Sequence, residues 1–306
     1  MLHMKLRIAT RESPLALWQA NSVRQSLLQH WPELNIELVP MSTTGDRFLK
    51  DRLIKLGGKG LFVKELEEAM LDGRADIAVH SMKDVPAGFP DGLCLAAICA
   101  RENPYDALVS LHYKTLDSLP KGAVIGTSSL RRQAQLLALR SDLTIKTLRG
   151  NINTRISKLD AGEYDAIILA AAGLERMEMQ DRINELLTEE TMLPACGQGA
   201  LGIECRSDDS NVQELLKPLN DPISALCVHT ERRVNAALGG SCHTPVAIFC
   251  KTEHDNLFLQ TKIAAPDGQN VIQASQRGTQ AEAALLADGC AQKLFNLGAR
   301  TLLNDL

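Results

Sequence analysis

The chain repeats itself. AVIGTSSLRRQAQLLAL (123–139) follows the same plan as LRIATRESPLALWQA (6–20): an apolar strand, a threonine, a serine placed to cap a helix, then the helix. ISKLDAGEYDAIILAAAGLERM (156–177) likewise echoes LEEAMLDGRADIAVHSMKDV (66–85): helix, glycine stop, acidic residue, buried strand, polar loop. A sequence built this way is constrained to two similar α/β domains. At 306 residues it has room for a third. The expected arrangement is two α/β domains forming a clamshell, plus a smaller C-terminal α+β domain with an antiparallel sheet.

Boundaries follow from the punctuation. Residues 101–104, RENP, read as a crossing out of the first half, and the Gly-Gln-Gly turn in 191–205 as the return. KPLNDP (217–222) reads as a linker. The expected division is 1–100 with 195–217, then 101–194, then 218–306. The third part should hold a helix over 223–238 stopped by Gly239-Gly240, strands 245–251, 257–264 and 270–275, and a last helix over 279–296.

The formal net charge of −4 argues against a general nucleic-acid binder. No stretch approaches the roughly 20 apolar residues of a membrane span, and the amino terminus has no secretion-signal pattern. The eight cysteines contain no CxxC pair, which fits reduced thiols in the cytoplasm rather than a disulfide framework or zinc site. Cys242 stands in an exposed glycine-bearing loop beside His243, a setting for a reactive or modified thiol; the other seven are expected to be buried and inert. Cys242 and His243 lack further ligands at metal spacing.

DIAVHSMKDVP (76–86) places His80, Ser81, Lys83 and Asp84 at the carboxyl end of a buried strand, where α/β sheets hold ligands. Pro86 biases Val85 to an extended conformation. Lys83 and Asp84 side by side suit acid/base work or a solvated turn. Arg11 and Ser13 flank a helix start with free backbone N–H groups, an anion site or an ordinary cap. The stretch 42–60 carries Lys55 and Lys59 without Walker A spacing and reads as a mobile loop over an anion or a plain surface loop.

The second half holds an anomaly. Arg131 and Arg132 fall in the first turn of a helix capped near Ser129, against the helix dipole. Arg149 and Arg155 flank the next helix start, and Arg176 follows the next strand. An anion at these ends would explain the arginines; a scattered solvated set is the alternative.

GGKGLFVKELE (57–67), DIAVHSMKDVP (76–86), IGTSSLRRQAQL (125–136), LRGNINTRISKL (148–159), LPACGQGALGIE (193–204) and GGSCHTP (239–245) together resemble the porphobilinogen deaminase (hydroxymethylbilane synthase) family, collinearly over nearly the whole chain. The resemblance implies two periplasmic-binding-protein-like domains and a third. It implies a transferase of tetrapyrrole biosynthesis that joins four porphobilinogen molecules head to tail, releases ammonia and hydrolyses off hydroxymethylbilane. It implies a dipyrromethane cofactor on a thioether at Cys242, and Asp84 as the catalytic carboxylate. Lys83, Ser129, Arg131, Arg132 and Arg155 would meet the cofactor. Arg11, Ser13, Arg149, Arg155 and Arg176 would hold the incoming pyrrole. Lys55 and Lys59 fall on the family's mobile loop. A monomer without metal, nucleic-acid or membrane partner is expected. The rival reading is a non-catalytic two-domain binding protein for an anionic small molecule, which needs no covalent primer.

Overall fold

The computed structural model describes residues 5–47, 63–240 and 244–304. Lys55, Lys59 and Cys242 lie outside them. The chain divides into two compact units, residues 1–102 with 200–225, and 103–199 with 226–306.

The first unit runs β1 (Lys5–Arg11), α1 (Pro14–His30), β2 (Asn35–Met41), α2 (Thr44–Arg47), α3 (Lys64–Leu71), β3 (Ile77–Ser81) and β4 (Leu93–Ile98). The second begins with β5 (Asp106–Ser110), β6 (Val124–Gly126), α4 (Leu130–Leu139), β7 (Thr144–Lys146), α5 (Ile152–Asp160), β8 (Ala166–Ala170), α6 (Ala171–Arg176) and β9 (Glu185–Leu187). The chain then returns to the first unit through β10 (Leu201–Arg206) and α7 (Ser210–Leu216). From α8 (Pro222–Ala237) it continues as β11 (Val246–Glu253), β12 (Asn256–Ala264), β13 (Val271–Thr279), α9 (Ala283–Asn296) and α10 (Ala299–Asn304).

The echo in the sequence is an echo in topology. The first sheet has the order β2-β1-β3-β10-β4 and the second β7-β6-β8-β5-β9. In each, the second strand pairs parallel with both neighbours (β1 with β2 and β3, β6 with β7 and β8). In each, the fourth strand runs antiparallel to both of its own (β10 against β3 and β4, β5 against β8 and β9). The repeated acidic residue has the same task twice. Asp76 Oδ2 accepts from the backbone N–H of Arg7 at 2.9 Å, and Asp165 Oδ2 from that of Val124 at 2.7 Å. Each bonds to the backbone of the second strand of its sheet. Asp76 is also gripped by the side chains of Arg7 and Arg206. Burial alone would raise its pKa, but these bonds outweigh burial and hold the carboxyl below the usual carboxylate range.

The third sheet, β11-β12-β13, is wholly antiparallel. Its inner face packs Ile248, Cys250, Leu257, Leu259 and Ile263 against Val234 of α8 and Leu294 of α9. Two α/β sheets of one design and a small antiparallel sheet make the fold. No described helix is long and apolar enough to cross a membrane.

Several expectations are corrected in detail. The sequence before Arg149, LTIKTL (143–148), reads as a strand, but only Thr144–Lys146 forms one, an edge strand with exposed ends. The strand expected over 270–275 continues to Thr279, because all nine of its residues pair with β12. Residues 217–222 are not a bare linker: Lys217–Leu219 form a 3-10 turn whose Leu219 enters the first unit's core. The short elements β9, α7 and α10 carry no periodic signal long enough to announce themselves. The seven described cysteines are free thiols, but Cys94, Cys99 and Cys196 are only partly buried.

Candidate active site

Local chemistry positions the candidate residues of the first unit. Ser13 caps α1, its Oγ accepting from the Ala16 N–H at 3.3 Å. Arg11 ends β1 just before it. On the neighbouring parallel strand β3, the chain turns through the 3-10 segment Met82–Asp84. Residues 11–13 and 82–84 therefore follow the carboxyl ends of adjacent strands. Met82 is buried and anchors that turn: its N–H donates to the Ala200 carbonyl at 3.0 Å, and a Cβ on Gly202 would lie 2.1 Å from its Sδ. Val85 is extended (φ −86°, ψ 124°) ahead of Pro86, as expected. With Met82 held inside, Lys83 is left half-buried and Asp84 exposed.

His80 is different. It is buried on β3, with Nε2 2.9 Å from Oε2 of Glu204 on β10. The other oxygen of Glu204 is buried without a hydrogen-bond partner among the described residues. Nearby on α3, Glu67 is half-buried, and burial first, then Glu204, with Glu68 adding and His80 opposing, pushes its carboxyl up to about 7. The folded chain thus binds this proton more tightly than the unfolded chain. The contribution of Glu67 to stability is complete below the ordinary glutamate value and is lost as pH rises through about 7. Glu67→Gln is expected to raise the melting temperature at pH 8 and leave it nearly unchanged at pH 5. Thermal scans at the two pH values check this; an equal shift at both would remove the titration of Glu67 as its cause.

In the second unit the arginines follow the carboxyl ends of the parallel strands β6, β7 and β8. Ser129 caps α4 (Oγ to the Arg132 N–H, 3.5 Å) and Asn151 caps α5 (Oδ1 to the Thr154 N–H, 2.9 Å). Arg131 and Arg132 are not a solvated pair. Both are buried around Asp106, the fully buried first residue of β5. Arg131 Nη2 lies 2.7 Å from Oδ2, and Arg132 Nη2 2.7 Å from Oδ1. Gln198, from the Gly-Gln-Gly turn, donates to Asp106 Oδ1 at 3.1 Å and to the Pro104 carbonyl at 2.7 Å. Burial would drive the Asp106 pKa upward; the two guanidiniums overcome it and hold it at about 2. The anion that the helix start called for is, in the first instance, Asp106. One carboxylate between two guanidiniums still leaves the group with a net positive charge. Burial accordingly pushes the Arg131 guanidinium below its ordinary value, with Asp106 opposing.

The side chains of Arg155 and Arg176 are held by backbone carbonyls. Arg155 Nε donates to the Gly150 carbonyl at 2.8 Å, and Lys158 Nζ reaches the Arg149 carbonyl at 3.4 Å. Arg176 is buried, with Nη2 2.9 Å from the Gly199 carbonyl. Residues that sequence reasoning missed include Asp106, Gln198, Glu204 and Glu231. Glu231 is buried on α8 and accepts from the N–H of Gly197 at 2.6 Å and of Cys250 at 2.8 Å. Acids inside apolar strand runs, as in DALVS and LGIEC, are the signal that identifies two of them.

With this geometry in hand, the comparisons are specific. The model of the porphobilinogen deaminase dipyrromethane cofactor binding domain matches residues 6–214, and that of the porphobilinogen deaminase C-terminal domain matches residues 225–296. The chain belongs to the porphobilinogen deaminase family. Porphobilinogen deaminases of Legionella pneumophila strains Lens and Paris are each 63% identical to it over 302 residues, covering 98% of this chain and 98% of the relative. Solved structures similar to it include a nutrient binding protein from Burkholderia cenocepacia bound to methionine (TM-score 0.44, 15% identity, 71% of this chain and 92% of that one). A periplasmic substrate-binding protein of an ABC transporter from Coxiella burnetii gives 0.45, 14%, 72% and 94%. At these values the structural likeness carries no argument. The deaminase assignment rests on the sequence relatives and family models.

Proposed function

We propose the following roles within the family's reaction. The protein is a transferase that joins four porphobilinogen molecules head to tail with release of ammonia and hydrolyses off hydroxymethylbilane, working on a covalent dipyrromethane primer. The primer supplies the pyrrole carbon to which each new unit is added. Cys242 anchors it. Arg131, Arg132, Arg155, Ser129 and Lys83 hold its acetate and propionate groups. Arg11, Ser13, Arg149, Arg155 and Arg176 receive the carboxylates of the incoming pyrrole. Lys55 and Lys59 meet the carboxylates of the growing polyanion.

The observation that carries this reading is the net positive charge of the buried Arg131–Asp106–Arg132 group at a capped helix start. Asp106 satisfies part of two guanidiniums and fixes their planes, and a polycarboxylate is the complementary ligand. Asp84, exposed beside Lys83 on a turn anchored by Met82, has the charge to stabilise the cation left when ammonia departs and to move the pyrrole proton. We further propose three domains, 1–100 with 195–217, 101–194 and 218–306, in a monomeric cytoplasmic enzyme without nucleic-acid or membrane partners.

Intact mass tests the anchor. The purified protein is expected to be heavier than its sequence by two linked pyrroles, and Cys242→Ala to lose that mass. A fully active protein of unmodified mass would sink the assignment.

A further inference from the structure

Helix α4, which carries Arg131 and Arg132, is gripped from two sides. On one side Gln135 brackets Leu193: its Oε1 accepts from the Leu193 N–H at 2.8 Å and its Nε2 donates to the Leu193 carbonyl at 3.0 Å. Arg131 Nη1 donates to the same carbonyl at 2.7 Å. On the other side lies the turn between β12 and β13. It is closed by the Gly268 N–H on the Ala265 carbonyl (2.8 Å) and the Ala265 N–H on the Asn270 carbonyl (2.9 Å). Gln133 Nε2 donates to the Pro266 carbonyl of this turn at 3.0 Å.

The contact is closest at Gly268. Its φ is +76°, and a Cβ there would lie 2.4 Å from the backbone nitrogen of Ala138 and 2.5 Å from the carbonyl carbon of Leu137. These are atoms of the helix backbone, so no side-chain rotation relieves the overlap. Any larger residue forces the turn or the helix to move. An α-helix advances about 1.5 Å per residue as a stiff rod, so a push at Ala138 is delivered to Arg131 and Arg132 less than two turns away. Neither Gly268 nor Gln133 is among the residues expected to touch cofactor or substrate.

We infer that the Ala265–Gly268 turn is a positioning element for the arginine end of α4, acting through backbone contact at Gly268 and the Gln133–Pro266 hydrogen bond. Its consequence for the cofactor rests on the reading of Arg131 and Arg132 given above. The third sheet, on this inference, does more than supply the chain that bears Cys242: it sets where the guanidiniums stand.

The experiment uses the full-length chain with Gly268→Ala, Gln133→Leu and, as a control, Leu294→Ala, a fully buried residue of the third sheet's core. Two quantities are read: hydrogen exchange at amides 133–136, and by intact mass the fraction of chains carrying the two-pyrrole addition. In Gly268→Ala the exchange should quicken by about tenfold or more, and the modified fraction should fall clearly below that of the parent. Gln133→Leu should shift both in the same direction by less. Leu294→Ala should lower the melting temperature while leaving both near the parent values. Unchanged exchange in both α4-contact variants, or changes no larger than in Leu294→Ala, would overturn the inference. Faster exchange with full modification would uphold the positioning of α4 and instead defeat the assignment of Arg131 and Arg132 to the cofactor. Should Gly268→Ala fail to fold, the comparison of Gln133→Leu with Leu294→Ala decides.

Discussion

Asp84→Asn is expected to slow condensation of porphobilinogen by about 10²–10⁴-fold, the usual scale for a positioned acid/base group. The substitution keeps the shape of the side chain and removes its charge. Asp84 is exposed, and the turn that presents it is anchored by the buried Met82 rather than by Asp84 itself. Folding should therefore change little, within about 0.5 kcal/mol as for most surface sites. The Cys242-linked pyrroles should also survive, since anchoring depends on the thiol and the arginines. Asp84→Glu, which retains the charge but displaces it by a methylene, should keep more activity than the asparagine variant. The deciding measurement is single-turnover ammonia release from folded, cofactor-loaded Asp84→Asn. A rate near that of the parent would remove the electrostatic role, whatever the melting temperature.

Asp106→Asn should instead strike the fold. Removing one partner of a buried ion pair typically costs about 3–5 kcal/mol, because the other charge is left uncompensated in a dry site. Here two guanidiniums would be left, both nearly inaccessible. The parent and variant should also differ in their acid limbs. The folded Asp106 titrates at about 2, below its ordinary value of 3.8. Its stabilisation is therefore present above that ordinary value and is lost as pH falls through about 2. Urea midpoints at neutral pH give the magnitude. A loss under about 1 kcal/mol would mean that water or another acid compensates the arginines, and that Asp106 does not hold them.

Much of this architecture is legible in the sequence because it depends on near neighbours. Ser13, Ser129 and Asn151 cap helices through bonds three residues long, and the strand–helix alternation needs only local periodicity. The duplicated plan is visible because each half repeats the same local signals. What the sequence conceals is pairing at a distance. Asp106 meets Arg131 and Arg132 across 25 and 26 positions, and His80 meets Glu204 across 124. No spacing rule links such residues; sheet order does. The cations at the start of α4 read as calling for an anionic ligand; within the chain the partner they find is Asp106. His80 reads as a strand-end residue grouped with Ser81, Lys83 and Asp84, but it lies inside β3, which runs on to Ser81, and is buried against Glu204.

The place of β10 has a consequence for how the chain is made. Among the described strands of the first sheet β4 pairs only with β10, in the order β3-β10-β4, and β10 ends at Arg206. Every strand of the second sheet lies between Asp106 and Leu187. During synthesis the later-starting sheet is thus complete while the earlier one still lacks its fourth strand and leaves β4 unpaired. The usual order, in which amino-terminal domains mature first, is reversed by one returning strand. Until residue 206 clears the ribosome, β3 shows a bare edge and β4 has no strand partner, and nascent chains halted before that point are the ones most exposed to proteases and to each other.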